Sequence, residues 1–352
     1  MNNNFNQMGQ FGGWTPSPYG YGSGSYSEQY DKYVQKKKDK RTIRKIANWC
    51  GLAVITYIVS SYVFSVPFAF LMYLFPSFGD TKSLLALDII ITFLAIGLPF
   101  FLMHLLLKKK KISKELPLGK IKDKKVATYL VMMFLPAMVV GALTINLISS
   151  VFQSMIGIEF TAPVNEIKMD GIGETIVGFV AVAVVPAFVE ELAIRGALMQ
   201  PLRKFGDKFA IITSAMVFAI MHGNLVQIPY TILGGLLLGY LAVVTESLWP
   251  SIILHFLNNF YSVIVMCVSD NISERASTIA ALVMIVLFGI IGVIGAVKYT
   301  KRKYNNEISI KDEILSGKEK TKAFIVNAPI IISIILLFIN IIVNTNSQYG
   351  KS

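Results

Sequence analysis

Glu190 and Glu191 stand side by side in the apolar run Val-Pro-Ala-Phe-Val-Glu-Glu-Leu-Ala-Ile-Arg-Gly, residues 185–196. A charged carboxylate at the centre of hydrocarbon costs about 2.5–3.5 kcal/mol on insertion scales, so two adjacent ones need a compensating role. The chain has only three histidines, and two of them also interrupt apolar sequence. His222 ends the run Phe218-Ala-Ile-Met-His, and His255 begins His-Phe-Leu-Asn-Asn259. Acids, imidazoles and an amide inside apolar segments are the inventory for hydrolysis within a membrane.

Spacing assigns these groups to faces. Glu191 and Arg195 are four apart with the acid N-terminal, the favoured order for a helical ion pair. Glu190 lies about 100° further round the helix. The expectation is a structural clamp between Glu191 and Arg195, with Glu190 free for chemistry; in the alternative, both glutamates share Arg195. His255 and Asn259 project from one face, as do Phe218 and His222, so Phe218 should pack beside the site. Asn258 falls off the His255 face and reads as a packing amide.

Two chemistries fit this set. In one, a carboxylate held out of water acts as general base on a water held by a histidine, and His255 with the Asn259 amide donates hydrogen bonds to the developing oxyanion. In the other, Glu190, His222 and His255 form a zinc ligand set with one position open for water. The His-Glu-x-x-His helix of the zinc proteases is absent from the sequence.

The elements that must position these residues are membrane helices. Of 352 residues, 54% are hydrophobic and 15% charged, with mean hydropathy +0.59. A soluble domain carries roughly 25% charged residues. Nine apolar stretches, at about 46–75, 84–107, 126–150, 174–198, 209–227, 229–246, 249–268, 277–298 and 324–343, approach the length needed to cross a core of about 30 Å. The predicted fold is an all-α polytopic bundle of eight or nine transmembrane helices. The weakest division is between the fifth and sixth spans, near Pro229.

Net charge is +12, but the Lys and Arg cluster in loops: 36–45, 108–125, 203–208 and 298–322. That is the positive-inside pattern, and it argues against nucleic acid as the partner. With nine crossings every basic loop falls on one side, which puts the N-terminus in the cytoplasm of a multi-pass protein, in the plasma membrane if the source is prokaryotic. Counting inward at about 1.5 Å per residue puts Glu190, His222, His255 and Asn259 roughly 12–20 Å below that interface.

Four regions follow: a Gly/Tyr/Asn-rich tail over 1–42, expected to be disordered; N-terminal helices over 43–150; a catalytic core over 151–298; and a basic loop with a last helix over 299–352. The first apolar run is too long for a signal-peptide core. Cys50 and Cys267 read as buried apolar residues with no ligand or disulfide spacing. Glycines at 234, 235, 239, 289, 292 and 295 should allow close helix packing. Pro186 should kink the fourth span one turn before Glu190. His104 reads as interfacial and Asp88 as solvated.

Taken together, Glu190-Glu191-x-x-x-Arg195, Phe218-x-x-x-His222 and His255-x-x-x-Asn259 resemble the three motifs of the CAAX protease and bacteriocin-processing family of intramembrane endopeptidases, which includes the type II CAAX prenyl endopeptidases. The resemblance covers about residues 170–270. It implies a helical core with a site open to the cytoplasm, Glu190 and His222 as water activators, and His255 with Asn259 as oxyanion donors. Both metal-dependent and metal-free mechanisms are attached to the family. The implied partners are a peptide or membrane-protein substrate and the lipid bilayer. Two rivals use the same residues: a transporter with an intramembrane polar relay, and a non-catalytic scaffold or immunity protein.

Overall fold

The computed structural model describes residues 23–156, 168–169, 171–302 and 314–349. The described residues are helical, with no strand among them. Ten helices follow in order: α1 Ser23–Leu74, α2 Thr81–Lys109, α3 Lys124–Ile156, α4 Ile172–Phe205, α5 Asp207–Met221, α6 Gln227–Thr245, α7 Trp249–Asn271, α8 Glu274–Lys301, α9 Gly317–Ile325 and α10 Ala328–Tyr349. Seven are long and apolar enough to cross a membrane, and the pair α9–α10, bent by 73°, makes an eighth if counted as one span. On α8 alone, Ile279, Leu282, Val283, Val286, Leu287 and Ile290 are all more than half exposed. An outward apolar face of that extent suits lipid rather than water. The chain is an integral, multi-pass membrane protein.

Two expectations change. The fifth span, placed at 209–227, is the 15-residue α5. At about 1.5 Å per residue it reaches roughly 22 Å, short of a full crossing. It stops because Gly223 turns the chain at φ +62°. The Asn224 side chain then accepts the backbone N–H groups of Val226 and Gln227 and starts α6. α5 and α6 thus form a hairpin whose turn begins at His222, a residue that lines the same cavity as Glu190. At the other end, α1 begins at Ser23, so residues 23–42 are helical where a disordered tail was expected. Residues 1–22 lie outside the described residues, as does most of the acidic connection at 151–173.

α4 is not a uniform helix. Wider π turns occupy Phe179–Val184 and Leu192–Met199, on either side of the α-helical turn Val185–Glu191. Pro186 sits at the start of that turn. Proline lacks an N–H and crowds the carbonyl four residues back. A π turn immediately before it relieves both problems, and π segments of this kind concentrate at functional sites.

The helices approach closely where glycine allows it. A Cβ on Gly235 of α6 would lie 2.9 Å from Ala215 Cβ of α5, and one on Gly295 of α8 would lie 2.8 Å from the Tyr129 carbonyl of α3. Around Gly289 there is open space, so that member of the glycine series packs against nothing.

Basic ends converge on one rim. Lys40 of α1 meets Glu319 of α9 at 2.8 Å, Arg302 meets Asp123 at 2.6 Å, and Lys122 meets Glu246 at 2.6 Å. The Leu248 N–H, in the α6–α7 turn, donates to the Pro117 carbonyl at 2.9 Å. Exposed pairs of this kind contribute roughly 0–1 kcal/mol each. They mark which helix ends share a side more than they hold the fold together.

Candidate active site

α4, the α5–α6 hairpin and α7 bring their polar residues to one place. Glu191 and Arg195 are both fully buried on α4, with Arg195 Nη1 donating to Glu191 Oε1 at 2.8 Å. Arg195 Nη2 also donates to the Gly235 carbonyl at 3.3 Å, and the guanidinium lies 4.5 Å from the centre of the Phe218 ring. One cation thereby ties α4 to both arms of the hairpin. Glu191 Oε2 and Arg195 Nε are buried without a hydrogen-bond partner. Unsatisfied buried polar atoms are costly, and in native structures they often mark functional sites.

His255 of α7 lies between the two glutamates. Its Nδ1 is 3.0 Å from Glu191 Oε1, and its Nε2 is 3.8 Å from Glu190 Oε2. An ionised carboxylate only accepts, so Nδ1 carries the proton in that contact. His222, the residue that caps the end of α5, has Nδ1 2.9 Å from the Phe218 carbonyl. A carbonyl cannot donate, so the proton is again on Nδ1, and Nε2 is left as the acceptor of the neutral ring. Phe218 packs edge-on to both imidazoles, with centroids 4.7 Å from His222 and 6.1 Å from His255.

The Asn259 amide donates to the Val182 carbonyl at 3.1 Å, inside the first π segment of α4. Asn258 donates to the Tyr230 hydroxyl at 3.1 Å and to Asn259 Oδ1 at 3.2 Å. Glu190, His222, Tyr230, His255, Asn258 and Asn259 line a common cavity of about 90 Å³. That is room for several waters, since one needs only about 10–15 Å³ by this kind of measure.

Each residue singled out from the sequence at the two glutamates, the two histidines, Arg195, Phe218 and Asn259 is therefore in this cluster. Two others were not anticipated. Asn258 faces the cavity, whereas its spacing was read as off-face. It is three residues from His255, and i, i+3 positions share a helix surface as i, i+4 positions do. Tyr230 carried no sequence signal, because its place depends on the hairpin. His104 is 4% exposed, and its Nδ1 is 3.5 Å from Ser113 Oγ.

Among the described residues no three His, Cys, Asp or Glu side chains are placed to hold a metal ion. Of the alternative ligand set Glu190, His222 and His255, His255 has Nδ1 engaged by Glu191 and its Nε2 3.8 Å from Glu190 Oε2.

Residues 172–261 resemble a known endopeptidase family. They match the family described as Type II CAAX prenyl endopeptidase Rce1-like. The Rce1-like segment is about a quarter of the chain and runs from the start of α4 into α7. It contains every residue of the cluster described above. No curated protein and no solved structure matches the chain. The family supports a membrane protease. Its segment spans both π segments of α4, the hairpin and the first half of α7, so the matched residues supply all of the cavity lining except Met138 of α3.

Proposed function

We propose that the chain is an intramembrane endopeptidase that hydrolyses a peptide bond with water activated by Glu190 and His222. The observation that carries this reading is the shared cavity: a carboxylate, two imidazoles and two amides from α4, the α5–α6 hairpin and α7 line a space that admits water. Glu190 takes a proton from that water, and His222 Nε2 accepts a hydrogen bond from it and fixes its orientation. Hydroxide adds to the peptide carbonyl carbon. The resulting oxyanion receives hydrogen bonds from the second Asn259 N–H and, when the ring is imidazolium, from His255 Nε2. Glu190 then returns its proton to the leaving nitrogen, and no covalent bond to the enzyme forms.

Preorganised donors of this kind are the largest single contribution in many acyl-transfer sites. Glu191 is assigned a supporting role: it orients His255 through Nδ1 while Arg195 balances its charge. The Tyr230 hydroxyl, which accepts from Asn258, keeps its own proton to donate toward the cavity. The transporter reading has no such use for an amide pair beside two acids.

The matched family is one of CAAX prenyl endopeptidases, so prenylated C-terminal peptides are the first substrates to test. The experiment is cleavage of a farnesylated CAAX-type peptide by the purified full chain in detergent, beside its Glu190→Gln variant. Cleavage by the wild type and not by the variant supports the proposal. Equal cleavage by both rules out Glu190 as the base. Binding without cleavage by either favours the scaffold reading.

A further inference from the structure

His222 enters the cavity from the very end of α5, and its ring is tied to its own helix through Nδ1, 2.9 Å from the Phe218 carbonyl. The imidazole therefore goes where the end of α5 goes. That end has little to hold it from within. The last carbonyls of a helix have no donor inside the helix. Directly past His222 the chain turns, through Gly223 at φ +62°.

Support comes instead from α1 and α10. The Tyr57 hydroxyl of α1 donates to the Met221 carbonyl at 3.2 Å. Met221 is buried and stands immediately before His222, and the Tyr57 ring packs against the same apolar core. Further along α1, the Tyr62 hydroxyl donates to Asn340 Oδ1 of α10 at 2.6 Å. With its oxygen engaged, the Asn340 amide turns its nitrogen to the hairpin: a Cβ on Gly223 would lie 2.9 Å from Asn340 Nδ2. Glycine at 223 thus answers both to the left-handed turn and to the approach of α10. The turn is tethered on one side of His222 by Tyr57 and backed on the other by Asn340. All three supporting residues lie outside the matched segment 172–261, so the flanking helices hold a part of the site that the segment does not hold alone.

A tyrosine that bridged two helices anywhere along their length would serve packing only. This one bonds the carbonyl next to the imidazole, at the one place where α5 has run out of its own donors. We infer that Tyr57 is a positioning residue for the proposed hydrolysis: its bond to the Met221 carbonyl, with Asn340 against Gly223, keeps the His222 ring in the cavity that Glu190 lines. The role rests on the peptidase reading, whereas the tether itself does not.

The test uses the full chain in detergent, with isotope-labelled histidine. The chain has three histidines, so the ring spectrum is simple, and His222→Gln identifies the His222 signal. Tyr57→Phe keeps the aromatic ring and removes one hydroxyl, a change too small to unfold the bundle. The expected result is a shifted or split His222 signal, with those of His104 and His255 in place. In cleavage of the farnesylated peptide, kcat should fall about ten- to a hundredfold, the range that a displacement of about 1 Å costs, with KM unchanged. Asn340→Ala should move the same signal, and it decides the matter if Tyr57→Phe does not fold. An unmoved His222 signal, all three signals moving together, or an unchanged kcat overturns the inference. Cleavage by the wild type with an unmoved signal removes Tyr57 and leaves the peptidase reading standing. No cleavage by the wild type sinks that reading and the positioning role with it, and a moved signal then shows the tether alone.

Discussion

Glu191 Oε1 accepts two hydrogen bonds at once, from Arg195 Nη1 at 2.8 Å and from His255 Nδ1 at 3.0 Å. The residue that reads as half of a structural clamp is therefore also what holds the α7 imidazole. Stability and chemistry meet on one oxygen atom, and this can be separated by substitution. Arg195→Ala leaves a buried carboxylate unpaired, which costs about 3–5 kcal/mol. It should lower the thermal midpoint in detergent sharply. A double variant, Glu191→Leu with Arg195→Met, removes both charges and should recover much of that stability. It should not recover cleavage, because His255 has lost its orienting partner. Cleavage restored in the double variant would show that Glu191 acts only through the fold.

Glu190 makes no comparable structural contact: its closest ionic partner is His255 Nε2 at 3.8 Å. Glu190→Gln should therefore leave the thermal midpoint nearly unchanged. A lost general base typically lowers the rate by about 10²–10⁴-fold. Turnover at saturating peptide is the measurement, and a fall of less than tenfold would move the base elsewhere in the cavity.

Tyr230 offers a sharper check on the cavity, since the sequence gives no reason to choose it. Tyr230→Phe keeps the ring and removes one hydroxyl. The expected loss in kcat is about a hundredfold, the lower end for one missing donor to an oxyanion. A matching loss in Asn258→Ala, with no further loss in the double variant, would show that the pair acts as a unit. Unchanged kcat in Tyr230→Phe would confine the hydroxyl to packing.

The rim should respond to acid through Asp123. Its carboxyl is held below the ordinary carboxylate range, first by the Val126 N–H and then by Arg302. A group depressed in the folded state contributes stability that is complete above its unfolded value, about 3.9, and is lost as the pH falls through its lower folded value. Wild type should thus exceed Asp123→Asn in stability at neutral pH, with the gap closing below about pH 4. Unfolding curves of both proteins from neutral pH to pH 3 would show it, and a gap independent of pH would remove the carboxylate as its source.

Much of the helical architecture is legible along the chain because its cause is local. Apolar runs of sufficient length must cross a bilayer or be buried, and the basic segments between them gather on one rim. The clamp between Glu191 and Arg195 is likewise readable, because residues four apart on a helix are neighbours whatever surrounds them. The end of α5 is a different matter. A hydropathy window runs through Ile220 and Met221 toward Leu225 without registering that Gly223 turns the chain at φ +62°. Of the eight or nine spans expected, seven helices, or eight with the bent pair, are long and apolar enough to cross.

By itself the sequence determined which groups are present, which helix each belongs to and which of them share a face within a turn. Only the tertiary structure decided that His255 bonds Glu191 across 64 residues of chain, that Asn259 reaches the Val182 carbonyl, and that Asn258 turns to Tyr230. Local periodicity fixes directions around one helix axis. The rotation and approach of different helices are fixed by how their side chains pack, as where Gly235 lets α6 close on Ala215, and that information is spread over the whole bundle.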